Sequence, residues 1–249
     1  MAFFKYKDKK VFYREYGTGQ PLLMLHGNSV SSKMFDSIID LYEDQFKVIL
    51  IDFLGHGQSD RIKEFPIDFW YDQGMQVIAF CEQNGYKDIN ILGTSGGALA
   101  GINVALEHPD LVSKLIADSF EGVRSIEHFA GQVQKEREAS KVDEGARNFF
   151  AYMHGDDWMD VVDADTDVII RHHKEVGDFF HKDISELKVA TLLTGSKEDE
   201  YCPEISELFK ELGLTIQDVS VHIFESGSHP SVMTSAEEFA NIAKQFLSN

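Results

Sequence analysis

The sequence predicts an α/β fold: a mostly parallel sheet with helices on both faces and one helical insertion. Three observations carry this. Strand-like and helix-like patterns alternate along most of the 249 residues, a length that one sizeable domain can occupy. The alternation stops from about residue 121 to 187 and then resumes. The motifs singled out below each follow an apolar run, at the carboxyl ends of strands, where open sheets of this kind bind ligands.

The elements follow in order. Residues 11–16 alternate like a strand and end at Gly17-Thr18-Gly19, a turn signal. Residues 22–25 form a short apolar run closed by His26-Gly27-Asn28. Residues 31–45 read as a helix, with Met34, Ile38, Ile39, Leu41 and Tyr42 on one side. A buried strand is expected at 48–51, a helix at 67–83 ended by Gly85, a strand at 89–92, a helix at 98–106 and a strand at 115–117. The stretch 121–187 is helical in character, acidic and aromatic, with Phe129, Phe149, Phe150, Tyr152, Trp158, Phe179 and Phe180. Strands at 190–193 and 219–224 and helices at 204–212 and 236–247 complete the pattern. The division this suggests is a core of residues 1–120 and 188–249 with a helical cap of 121–187.

The net charge of −19 repels phosphate backbones and anionic lipids, so neither nucleic acid nor a membrane is expected as a partner. The same charge mildly disfavours highly anionic substrates, unless charge within the site overrides it. No stretch approaches the roughly 18 apolar residues of a membrane helix, and the N-terminus has no signal-peptide pattern. Cys81 and Cys202 are the only cysteines, too few for a disulfide framework. A cytoplasmic protein acting on a small molecule, without cofactor or metal, is the expectation.

Chemistry concentrates in Gly93-Thr94-Ser95-Gly96-Gly97, a G-x-S-x-G between an apolar run and a small-residue helix. That is the pattern of a nucleophile elbow, a sharp strand-to-helix turn that exposes one serine hydroxyl. Glycines flank the serine because side chains at 93 or 97 would clash with neighbouring strands. A serine hydroxyl needs a base within reach and a third group to orient that base. His229, in the loop after the last strand, is the candidate base, and Asp199, in the loop after the preceding strand, the candidate acid.

With these residues the chain resembles the α/β-hydrolase superfamily over nearly its whole length. His26-Gly27-Asn28 is similar to the family's oxyanion loop. Asp52-Phe53-Leu54-Gly55-His56-Gly57-Gln58-Ser59-Asp60 is similar to its D-x-x-G-x-G-x-S element. Gly227-Ser228-His229 is similar to its terminal histidine loop. The resemblance implies a triad of Ser95, Asp199 and His229, with the Asn28 and Gly96 amides as oxyanion donors. It implies hydrolysis of a small ester, thioester or lactone. Aminopeptidase and carbon–carbon bond hydrolase activities on the same triad stay open, as does a slow-turnover ligand sensor. Serine at position 95 differs from the aspartate of haloalkane dehalogenases and epoxide hydrolases. The family more often places the acid at the position of Glu198. Asp199 is favoured because Pro203 follows it by four, and Asp118 is the remaining candidate. Structural roles are expected for His26, Asp52 and His56. The run Asp163-Ala164-Asp165-Thr166-Asp167 lacks the glycine and glutamate of a calcium loop and reads as a solvated acidic face. His172-His173 matches no standard metal spacing. Trp158 or Phe129 is a candidate for the lining of an acyl pocket.

Overall fold

The computed structural model describes residues 2–248. Eight strands form one sheet in the order β1-β2-β4-β3-β5-β6-β7-β8. They are β1 (Ala2–Tyr6), β2 (Lys9–Tyr16), β3 (Gln20–Leu25), β4 (Phe46–Ile51), β5 (Ile89–Thr94), β6 (Val112–Asp118), β7 (Ala190–Ser196) and β8 (Val219–Phe224). The pairs β1/β2 and β2/β4 are antiparallel and all others parallel.

Period-two alternation divides each central strand between two cores. Leu23, Leu25, Ile49, Ile51, Ile91 and Leu115 face one side, against helices α1 (Phe69–Asn84), α2 (Gly96–Glu107) and α6 (Ile205–Thr215). Leu22, Met24, Val48, Leu50, Leu92 and Ile116 face the other, against α8 (Ala236–Ser248). Strands buried on both faces are near-continuous apolar runs, as the sequence of β3 to β5 is. A short helix α7 (Ser231–Thr234) precedes α8. Cys81 and Cys202 are both free and buried.

Three helices fill the break in alternation: α3 (Glu127–Ser140), α4 (Glu144–His154) and α5 (Trp158–Glu175). They enter after β6 and lie against the loops that follow β3 and β4, at the carboxyl edge of the sheet. The end of α4 is stitched to those loops: Ser31 Oγ donates to the Met153 carbonyl at 3.1 Å, and Arg61 Nη2 to that of His154 at 2.9 Å.

Two elements depart from the sequence reading. Residues 31–45 form no α-helix but two 3-10 turns, Ser32–Phe35 and Ile39–Leu41. Ser31, Ser32, Ser37, Asp36 and the β-branched pair Ile38-Ile39 are weak helix formers. Outside contacts also pin the chain: Ser32 N–H donates to Asp52 Oδ1 at 2.8 Å, and Arg14 pairs with Asp36 at 2.7 Å. The first strand was not expected at all. It joins β2 through Lys7 and Asp8, both at positive φ, a two-residue hairpin made without glycine.

Candidate active site

Ser95 sits between β5 and α2 at φ 54° and ψ −124°. A non-glycine residue there stores roughly 1–3 kcal/mol of strain, and its neighbours show what enforces it. A Cβ at Gly97 would lie 2.1 Å from the Leu25 carbonyl oxygen, and one at Gly93 would lie 2.2 Å from that of Gly97. Helix α2 therefore packs backbone to backbone on the sheet. Ser95 N–H donates to the Asp118 carbonyl at 2.8 Å, which fixes the turn from the other side.

His229, in the loop after β8, has Nδ1 2.9 Å from Asp199 Oδ2. Asp199 lies in the loop after β7 with its side chain fully buried. Its other oxygen accepts the backbone N–H groups of Tyr201 at 3.0 Å and Cys202 at 2.9 Å. Burial alone would raise the Asp199 pKa; the His229 bond and the two amides outweigh it and hold the group below its ordinary range. The Tyr201 ring leans on the imidazole at 4.9 Å between centroids.

The structure thus brings Asp199 to His229, and the competing acids elsewhere. Glu198 accepts the Gly227 N–H at 3.1 Å. Asp118 is fully buried and collects the hydroxyls of Thr94, Thr194, Ser119 and Ser231, tying three strand ends to α7. Ser95 and His229 line the same cavity of about 600 Å³, together with Gly27, Asn28, Phe129 and Phe150. Among the described residues no hydrogen bond joins Ser95 to His229, whose Nδ1 is turned to Asp199.

Gly96 opens α2, so its N–H has no partner within the helix. A Cβ there would lie 2.2 Å from Asn28 Oδ1 and 2.8 Å from Trp70 Nε1. The missing side chain lets the Asn28 loop close on the elbow, where Trp70 Nε1 donates to Asn28 Oδ1 at 3.2 Å. Asn28 and Gly96 accordingly lie together beside Ser95.

Asp165 requires a correction. It is fully buried, not on a solvated face. It lies on the apolar stripe of α5 with Val161, Val168, Ile169 and His172. Its carboxylate accepts Ser29 Oγ at 2.7 Å, Asn28 Nδ2 at 3.3 Å and His56 Nε2 at 2.9 Å. Burial opposes its ionisation, but the His56 and Ser29 bonds keep its pKa below the usual range. The inserted helix thereby grips the loop that carries Asn28. The periodicity held the signal, since a carboxylate on an apolar stripe needs a buried partner.

Two histidines complete this layer. His26 Nε2 accepts the Phe53 N–H at 3.1 Å, so its protonated Nδ1 donates to the Gly27 carbonyl at 2.8 Å. His154 Nδ1 accepts the Gly57 N–H and its Nε2 faces the Ser29 carbonyl, both at 3.0 Å. His154 went unnoticed in the sequence. His172 Nδ1 faces the Ile67 carbonyl at 2.9 Å. Phe129 lines the cavity, whereas Trp158 stacks on Phe150 within the insertion. Among the described residues no three His, Cys, Asp or Glu side chains converge as metal ligands, and no helix is long and apolar enough to cross a membrane.

Residues 20–152 match the family profile of the alpha/beta hydrolase fold. The chain belongs to that family. A solved serine hydrolase involved in carbazole degradation superposes with a TM-score of 0.79 at 22% identity, covering 99% of this chain and 98% of that one. The chain is 24% identical over 260 residues to 2-hydroxy-6-oxo-6-(2'-aminophenyl)hexa-2,4-dienoic acid hydrolase of Metapseudomonas resinovorans, covering 95% of this chain and 87% of the relative. It is 32% identical over 110 residues to haloalkane dehalogenase 2 of Mycobacterium tuberculosis, covering 43% and 37%. The chain spans about a quarter to two-fifths of the length of the curated relatives it matches above 30% identity.

Proposed function

We propose that the protein is a serine hydrolase that cleaves a small carboxylic ester, thioester or lactone through an acyl-enzyme on Ser95. The observation that carries this reading is the shared cavity: an elbow serine at a forced positive φ faces the same space as a histidine oriented by a buried aspartate. In the reaction His229 takes the Ser95 proton as Oγ attacks the carbonyl carbon. The Asn28 and Gly96 amides receive the oxyanion, one such donor being worth about 2.7–4 kcal/mol. Asp199 holds the imidazole tautomer and stabilises the imidazolium. His229 then protonates the leaving alkoxide, thiolate or ring oxygen, and water, deprotonated by the same histidine, releases the acid. Residues 121–187 act in this reading as a cap that shapes the acyl site.

Carbon–carbon bond hydrolysis is the second reading. It is favoured by end-to-end likeness to two hydrolases named for 6-oxo-hexadienoate substrates, at 24% identity each. Hydrolysis of p-nitrophenyl esters of rising acyl length, with Ser95→Ala as control, tests the first. Ser95-dependent turnover with a chain-length optimum is expected. Fluorophosphonate labelling of Ser95 without ester turnover, joined to cleavage of a 6-oxo-dienoate, would establish the second instead.

A further inference from the structure

Arg137, on α3, lines the cavity that holds Ser95 and His229. In a chain with 42 acidic side chains, its guanidinium makes no ion pair and no hydrogen bond among the described residues, and its Nε is buried without a partner. It is nevertheless held in place. The guanidinium lies over the Phe150 ring at 5.3 Å, and Phe150 in turn stacks on Trp158 at 5.8 Å and 13°. An arginine fixed by a cation–π contact loses little freedom when it forms hydrogen bonds, and its fork matches a carboxylate.

The other charged groups on the cavity wall already hold partners. Asp36 accepts from Arg14 at 2.7 Å and from the Tyr152 hydroxyl at 2.6 Å. Glu200 accepts the His229 N–H at 2.9 Å, and Lys33 donates to the Tyr152 carbonyl at 2.5 Å. The rest of the lining is mostly apolar: Val30, Met34, Phe129, Val133, Phe149 and Met153 among it. A cation without a counter-charge, its Nε out of water and its fork on the wall of such a space, calls for an anion from outside the protein.

We infer that Arg137 anchors a carboxylate on the substrate, so that the cavity takes an acyl compound with an anionic group remote from the bond Ser95 attacks. The inference rests on the serine-hydrolase reading and narrows its substrate class. It also explains how so acidic a protein admits an anion, since the positive charge is local to the site.

The test compares two esters of matched length, the p-nitrophenyl monoester of adipic acid and p-nitrophenyl hexanoate. They differ by a terminal carboxylate in place of a methyl group. In the unaltered protein the adipate ester should have a kcat/KM at least tenfold above the hexanoate, and the ratio should fall with added salt. Arg137→Gln should lower the ratio tenfold or more. Arg137→Lys should land between the two, because it keeps the charge without the fork. Binding of adipate to the Ser95→Ala protein, measured by calorimetry, reads the same contact without turnover and should be lost in Ser95→Ala/Arg137→Gln. A ratio at or below one, or a ratio that Arg137→Gln leaves unchanged, overturns the anchor while ester hydrolysis stands. Arg137-dependent adipate binding with neither ester cleaved supports the anchor and removes the ester reading instead.

Discussion

Asp165 Oδ2 on α5 lies 2.9 Å from His56 Nε2 in the loop after β4, and both side chains have zero exposure. One carboxylate thus joins the helical insertion to the core and, through Ser29 and Asn28, to the loop beside Ser95. Removing one member of a buried pair costs about 3–5 kcal/mol, because the other is left without its partner. Asp165→Ala should lose stability on that scale in chemical denaturation. Asp165→Asn, which retains volume, should keep more of the stability and yet lose kcat tenfold or more with a smaller change in KM. A kcat equal to that of the unaltered protein would separate Asp165 from the positioning of Asn28.

Acid should weaken the fold before it reaches the carboxylates. Burial, and then the nearby His56, push His26 down to about 4 and His154 down to about 3. The unfolded chain takes up these protons near pH 6.5 and the folded chain does not, so their stabilisation is full above that pH and is lost as pH falls towards the folded values. Each accounts for a loss of about 2 kcal/mol by pH 5, at 1.36 kcal/mol per pKa unit. Asp165 and Asp199, held below their usual range, add their loss only below about pH 4. Denaturation at pH 7, 6 and 5 should show the decline. His154→Gln, which can accept from Gly57 and donate to Ser29 without titrating, should roughly halve it, leaving the part due to His26.

Adjacent glycines should respond differently to alanine. At Gly97 the new Cβ meets backbone, the Leu25 and His26 carbonyl oxygens at 2.1 and 2.7 Å, which move only if β3 moves. Gly97→Ala should lose about 3 kcal/mol or more. At Gly96 the nearest obstacle is the end of the Asn28 side chain, which can turn, with the buried Trp70 indole behind it. Gly96→Ala should lose about 1 kcal/mol but cut kcat by about a hundredfold, as expected when an oxyanion donor is displaced. Thermal melts and ester kinetics on both variants check the contrast.

Asp199→Asn should fold normally and turn over about 10³–10⁴-fold more slowly. The amide oxygen can still accept from Tyr201 and Cys202, so the loop survives. Its NH₂ would then face His229 Nδ1 and leave the proton on Nε2, the nitrogen that must receive it from Ser95. Thermal stability close to that of the unaltered protein, measured beside the kinetics, distinguishes this tautomer effect from unfolding.

The parts legible in the sequence are those set by local sterics. Gly93, Ser95 and Gly97 announce their turn because backbone contact forbids any Cβ at the two flanking positions, and the apolar runs of β3, β4 and β5 are buried on both faces. The weave at 31–45 was not legible, because its apolar spacing suits a helix while contacts from Asp52 and Arg14 wind it into 3-10 turns. Asp165 was hidden among Asp163 and Asp167, which share its charge but are both exposed. Nothing local marks Arg137: its lack of partners arises only once α3, α4 and the loop after β7 are assembled.

The grip of Asp165 on the core bears on how new specificities arise in this scaffold. The inserted helices line the cavity, so exchanging them for those of another family member is the obvious route to a different substrate. A transplanted insertion without an acid at this position leaves His56, Ser29 and Asn28 facing an empty place under the helix, in contact with the loop beside Ser95. Such a chimera inherits a new pocket and a loosened loop together. Successful grafts onto this core will be those whose helix keeps an acid at the place of Asp165 or in which its three partners are replaced at the same time.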